Sequence, residues 1–122
     1  MRGTKIDSFA PAIGTAHGVY KREPKINFDR VREIVADEPL PIVLHGGTGL
    51  RDEVIQELIR LGAIKVNIST QLKITYTDAL RTHLNDNPKQ HDPAKLHEAV
   101  KQDVQAMAVN YMHVFGSAGK AP

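Results

Sequence analysis

Short, wholly apolar runs alternate along this chain with segments whose apolar residues recur at three- and four-residue spacing. That alternation is the strongest constraint on the fold. IVLH at 42–45 is apolar up to its last residue, as a parallel strand covered on both faces should be. AIKVNIS at 63–69 reads as another strand and IDSFAPAI at 6–13 as an earlier one, with Pro11 awkward for a central ladder position.

Between the strands lie helical patterns. Phe28, Val31, Ile34 and Val35 share one face of a helix over 27–36, which Asn27 or Asp29 can cap. Val54, Ile55, Leu58, Ile59 and Leu61 form the stripe of a helix over 51–61, ended by Gly62. A third helix carries Leu72, Tyr76, Leu80 and Leu84 and stops near 85–88. A fourth opens at Asp92 and Pro93, carries Leu96, Val100, Val104, Met107 and Tyr111, and ends at Gly116. The predicted order is β-α-β-α-β-α-α, which implies a parallel sheet with right-handed crossovers. Three strands leave two open edges and apolar surface uncovered, so the expectation is part of a larger fold or a chain that assembles with a partner.

Composition narrows the chemistry. Sixteen basic residues face 14 acidic ones, and the surplus of +2 gives no basic stripe for nucleic acid or a membrane surface. There is no cysteine, which excludes disulfides and thiolate metal sites and suits the cytoplasm. No apolar run reaches the ~18 residues of a membrane span, and MRGTKIDS does not read as a signal peptide.

The chemistry-bearing residues cluster where each strand hands over to its helix. His17-Gly18 follows the first strand, His45-Gly46-Gly47-Thr48 the second, and Asn67-Ile68-Ser69-Thr70 the third. In parallel α/β folds the C-terminal ends of the strands form the ligand face. Two imidazoles at equivalent positions there can share a metal ion, although a catalytic zinc normally takes three protein ligands. Buried rings bonded to carbonyls would leave the same pattern, and the sequence divides evenly between the two. His83, His91, His97 and His113 fall on the last helices or their connection and read as surface or packing residues. Gly46-Gly47-Thr48-Gly49 before a helix serves equally as a phosphate cradle or as a glycine-rich turn, and Ser69-Thr70 as a second cradle or an N-cap. Lys21 can add a charge to a bound phosphate or stay solvated.

Taken together, IGTAHGVYK, IVLHGGTG, KVNIST and FGSAGKA resemble the class II, zinc-dependent ketose-bisphosphate aldolases, in particular the fructose- and tagatose-bisphosphate branch. The resemblance runs from about Ile6 to the end and implies the C-terminal portion of a (β/α)8 barrel: three βα units plus a terminal helix in one partial domain. It implies that His17 and His45 are zinc ligands. Gly18, Lys21, Gly46, Gly47, Thr48, Asn67, Ile68, Ser69 and Thr70 would bind the dihydroxyacetone-phosphate half of a sugar bisphosphate, with Asn67 beside the reacting carbons. Carbonyls of the glycine loops would hold sodium or potassium, and the full-length form would be a homo-oligomer, a dimer or tetramer.

The departures are equally informative. The family's remaining zinc histidine, its proton-transferring aspartate and a loop glutamate lie upstream of the matched region, and no such motif precedes Ile6. Ala94 and Lys95 stand where many relatives have an arginine after the Asp-Pro pair. The expectations are therefore three: an aldolase segment with part of its site, an inactive fragment or one chain of a split barrel, or a zinc aldolase for another sugar phosphate. A Schiff-base aldolase using Lys65 is a remoter alternative, because nothing suggests the desolvated pocket such a lysine needs.

Overall fold

The computed structural model describes residues 3–37 and 39–121. The elements run α1 (Phe28–Asp37), β1 (Ile42–Leu44), α2 (Asp52–Arg60), β2 (Ala63–Val66), α3 (Thr70–Asp86) and α4 (Pro93–Val114). The chain divides into two compact units, 1–68 and 69–122.

In the first unit β1 and β2 pair in parallel, with Ile42 opposite Ala63, Val43 opposite Lys65 and Leu44 opposite Val66. A register shift between Ile42 and Val43 accommodates the extra residue on β2. The helix between them begins at Arg51, whose extended backbone precedes the first turn. It ends at Gly62, where φ of +114° gives the left-handed conformation that glycine adopts at least cost. The same glycine carbonyl accepts the Ile42 N–H at 3.1 Å, so the end of α2 also starts the sheet ladder. At the start of α1 the Asn27 side chain accepts the Arg30 N–H at 2.9 Å and is therefore the cap chosen between Asn27 and Asp29.

The predicted strand over 6–13 is not formed. Only Phe9 joins the sheet, through a single parallel bridge to Ile42. Its N–H donates to the Pro41 carbonyl and its carbonyl accepts from Val43, both at 2.9 Å. Pro11, two residues on, has no N–H with which to continue that alternation, so the pairing stops. The other strands are shorter than their patterns: His45 lies one residue beyond β1, and 67–69 lie beyond β2. The ladder still reaches Asn67, whose N–H donates to the Leu44 carbonyl at 2.9 Å.

The core of this unit is Ile13, Val31, Ile34, Ile42, Leu44, Leu50, Ile55, Leu58 and Ala63, all buried. Ile55 and Leu58 are the inner half of the α2 stripe, and Val31 and Ile34 that of α1. Burying each such side chain contributes about 1.5–3 kcal/mol, which favours this arrangement of short elements.

In the second unit α3 and α4 pack on one another. Asp92 caps α4 by accepting the Ala94 N–H at 2.9 Å, with Pro93 in the first turn as predicted. The α4 face also follows the pattern: Val100 is buried and Leu96, Val104, Met107 and Tyr111 are half-buried. The α3 face does not. Leu72, Tyr76 and Leu84 are exposed, while Ala79 is buried with Ile74, Leu80 and His83 beside it on the half-buried side. A small residue at 79 allows close helix approach, and that outweighs the larger but rotated leucine row.

Candidate active site

The site is built at the C-terminal end of β1. His45 follows the last strand residue directly, and its exposed side chain stands where the strand opens into the glycine loop. His17 arrives from a segment without regular secondary structure, tied down at a few points. Asn27 N–H donates to the Ile13 carbonyl at 2.9 Å, which anchors the segment to the start of α1. Gly14, at φ of +102°, lies so close to Lys25 that an added Cβ would sit 2.2 Å from its carbonyl oxygen.

The decisive tie is Tyr20. Its hydroxyl receives the Ala16 N–H at 2.9 Å and donates to the Gly46 carbonyl at 2.8 Å. One phenol therefore joins the loop that carries His17 to the loop that carries His45. Sequence reasoning passed over Tyr20; the available signal was an aromatic hydroxyl three residues after His17 in a glycine-rich loop, where turn residues would otherwise be expected. Gly46 takes part for a second reason. Its φ is +69°, and an added Cβ would lie 2.3 Å from the Ala16 carbonyl oxygen, so the two loops touch backbone to backbone.

The result brings three of the sequence-predicted residues together. Nε2 of His17 lies 3.3 Å from Nδ1 of His45, with ring centroids 5.4 Å apart and planes inclined by 35°. Nδ2 of Asn67 lies 3.1 Å from Nε2 of His45. Parallel pairing produces this convergence, because the Asn67–Leu44 backbone bond places residue 67 alongside the residue that follows Leu44. A cleft of about 390 Å³, lined by Ala10, Pro11, Ala12, Thr15, Ala16 and the two histidines, opens beside the pair.

The remaining predicted residues fall in both units. Gly47 and Thr48 are buried. An added Cβ on Gly47 would press on Ile68 Cδ1 at 2.9 Å and Val66 Cγ1 at 3.2 Å, so Ile68 packs beneath the glycine loop. Gly18 has φ of +95° and open space around its α-carbon, the one predicted loop glycine of the four with room for a ligand at that position. Lys21 lines a different cleft, of about 480 Å³, with Arg22, Glu23, Gly49 and Arg51. Arg51 and Glu23 pair there at 3.0 Å. In the second unit Ser69 is the N-cap residue of α3 and Thr70 its first residue. The Ser69 side chain makes no capping bond, and no acidic residue occupies the first turn. The first turn of α2, by contrast, contains Asp52 and Glu53, which complement its helix dipole themselves.

The donor set at the histidines suits a borderline ion such as zinc. Two nitrogens bound at about 2.0–2.1 Å with tetrahedral geometry stand about 3.3 Å apart, the separation that zinc ligation requires. The imidazole nitrogens already have that spacing. Among the described residues no group of three or more His, Cys, Asp or Glu side chains is gathered for a metal ion, so the two histidines alone would make only part of a zinc shell.

Alternating helices and parallel strands, with polar residues gathered where strands end, define a segment of an α/β fold. The family profile described as "Fructose-bisphosphate aldolase class-II" matches residues 1–120, and the chain belongs to that family. A fructose-bisphosphate aldolase of Geobacillus stearothermophilus is 41% identical over 121 residues, which are 99% of this chain and 42% of the relative. The YdjI aldolase of Escherichia coli K12 superposes with a TM-score of 0.82 at 34% identity, over 99% of this chain and 43% of that one. A fructose-bisphosphate aldolase of Campylobacter jejuni shares the fold, with a TM-score of 0.80 at 20% identity over 93% and 41% of the two chains. The chain thus spans less than half the length of these relatives and has the fold of the C-terminal portion of their (β/α)8 barrel.

Proposed function

We propose that these residues form the phosphate-binding and partial metal-binding side of a zinc-dependent aldolase that cleaves or forms a ketose 1,6-bisphosphate, giving dihydroxyacetone phosphate and an aldehyde. The observation that carries this reading is the 3.3 Å approach of the His17 and His45 ring nitrogens at the end of β1, with Asn67 beside them. His17 and His45 would hold the zinc, which when bound supplies a Lewis acid for the ketose carbonyl. Asn67 would reach the carbons next to that carbonyl, while Gly18 leaves room for the ligand chain against the backbone. Phosphate binding would fall to the Gly46-Gly47-Thr48 loop and to Ser69 and Thr70 at a helix start free of acidic residues. Lys21 would add positive charge from the neighbouring cleft. A sodium or potassium ion would sit on carbonyls of these loops, of which that of Gly46 already accepts from Tyr20.

Aldol cleavage breaks C3–C4 and requires a group that removes the proton of the C4 hydroxyl. No carboxylate joins the histidines among the described residues, so the proton-transferring aspartate and the third ligand are proposed to come from the part of the barrel beyond this match. The chain alone is then a binding half with no turnover, and one chain of a split barrel is the corresponding second reading. A zinc aldolase for a different sugar phosphate is a further reading, which Ala94 and Lys95, standing where many relatives have an arginine, leave open. The same reading implies a homo-oligomeric full-length form in the cytoplasm, with no nucleic-acid partner. Among the described residues no helix is long and apolar enough to cross a membrane.

Two measurements test this. Equilibrium dialysis against zinc should load the chain in proportion to protein, and His17→Ala or His45→Ala should each abolish most of that loading; retention by the double variant would sink the zinc assignment. Incubation with zinc and fructose bisphosphate should give no aldehyde above background. Turnover at a rate normal for an aldolase would mean that the 122 residues contain a complete acid–base set after all.

A further inference from the structure

Two backbone groups flank the histidine pair and share one partner. Ala16 precedes His17 and Gly46 follows His45, and both bond to the Tyr20 hydroxyl oxygen, at 2.9 and 2.8 Å. A backbone N–H can only donate and a carbonyl can only accept, so both bonds have a fixed direction. The oxygen receives the Ala16 hydrogen and gives its own to Gly46. The ring of the same tyrosine is also placed. An added Cβ on Gly49 would lie 3.4 Å from Tyr20 Cδ2, so the phenol reaches along the glycine loop from Gly49 back to Gly46.

The two histidines differ in what holds their backbones. His45 directly follows β1, and the Leu44 carbonyl beside it accepts the Asn67 N–H. His17 lies in a segment without helix or strand, and the Gly18 that follows it has open space around its α-carbon. The close approach of Gly46 to the Ala16 carbonyl is a steric contact, and two backbones in such contact can slide. Two directional bonds to one oxygen resist sliding, because each weakens steeply as its angle departs from linearity. Resting on the reading that His17 and His45 hold zinc, we propose that Tyr20 is a positioning residue. Its hydroxyl sets the separation of the two rings, and without it the chain binds zinc through His45 alone. A tyrosine that served only the fold would lower stability and leave that separation unchanged in every molecule still folded.

The test compares the 122-residue chain with Tyr20→Phe and with Ile55→Val, which weakens the packing of α2 without touching the hydroxyl. Spectra are recorded at one fixed pH, below the temperature at which any of the three begins to unfold. The ring signals are assigned through His17→Ala and His45→Ala. Without metal, an Overhauser contact between the rings of His17 and His45, whose centroids lie 5.4 Å apart, is expected in the parent and in Ile55→Val. It is expected to be lost in Tyr20→Phe. Added zinc should move both ring signals in the parent and in Ile55→Val. In Tyr20→Phe it should move only that of His45, with an affinity about 10-fold or more weaker.

A Tyr20→Phe chain that keeps the ring contact, or that binds zinc through both rings as tightly as the parent, would overturn the proposal. So would an equal weakening in Ile55→Val, since stability alone would then account for it. If zinc moved neither ring in the parent, the zinc reading would fall and the ligation half of the proposal with it. The metal-free ring contact would still decide whether Tyr20 sets the spacing. Should Tyr20→Phe fail to fold, hydrogen exchange of the parent decides: the Ala16 amide is expected to be protected, and free exchange there would overturn the proposal.

Discussion

At the scale of single residues, the geometry of the site depends on short backbone contacts. Gly46 is required because the Ala16 carbonyl occupies the space of a side chain, and Tyr20 is required because it satisfies a donor and an acceptor that face each other across two loops. Tyr20→Phe keeps the ring and removes both bonds. We expect it to lower stability by about 1–3 kcal/mol, measured by urea denaturation, because the Ala16 N–H and the Gly46 carbonyl lose their partner. An unchanged midpoint would mean that water replaces the hydroxyl at no cost. His17, His45 and Asn67 were legible as a group, since residue type and position at the ends of apolar runs sufficed to single them out. Tyr20 was not, because its value lies in a distance between segments 26 residues apart in sequence.

At the scale of elements, the pattern located helices better than strands. Caps at Asn27 and Asp92 and the stop at Gly62 act through their immediate neighbours, so the local sequence specifies them. The lost strand over 6–13 and the rotated face of α3 were decided by packing instead. Phe9 pairs only as far as Pro11 permits, and Ala79 outranks its leucine neighbours because a helix partner sits against it. The short β1 depends on its burial: Ile42 and Leu44 are at most 2% exposed. Leu44→Ala should cost about 2–5 kcal/mol and shift the thermal midpoint down accordingly. It should also move the ring resonances of His45, which follows it. Loss of stability without that movement would separate the strand from the site.

At the scale of the whole molecule, the family assignment and the 42% span of a curated relative agree with the open edges anticipated from a sheet of so few strands. Among the described residues β2 has a partner on one side only, and Ile64 on it is 73% exposed. An unpaired strand edge with an exposed β-branched residue favours self-association. Light scattering of the chain should show a mass that rises with concentration, and Ile64→Lys should reduce that rise. A monomer at every concentration would show that the edge is covered in solution. Barrel membership was legible from motif order, whereas the number of strands formed was not, because strand formation in a parallel sheet depends on neighbours that this span does not contribute.

His17 is held by only a handful of bonds on a segment that lacks helix or ladder, whereas His45 is held by the sheet. Segments fixed by so few contacts open at small free energies, well before the rest of the fold. By thermodynamic linkage, an ion bridging the two rings must spend part of its binding free energy on closing residues 14–20. On the proposed zinc reading, the apparent affinity would be the intrinsic affinity reduced by the closed fraction of that segment. Whatever raises the closed fraction would then tighten metal binding without adding a ligand.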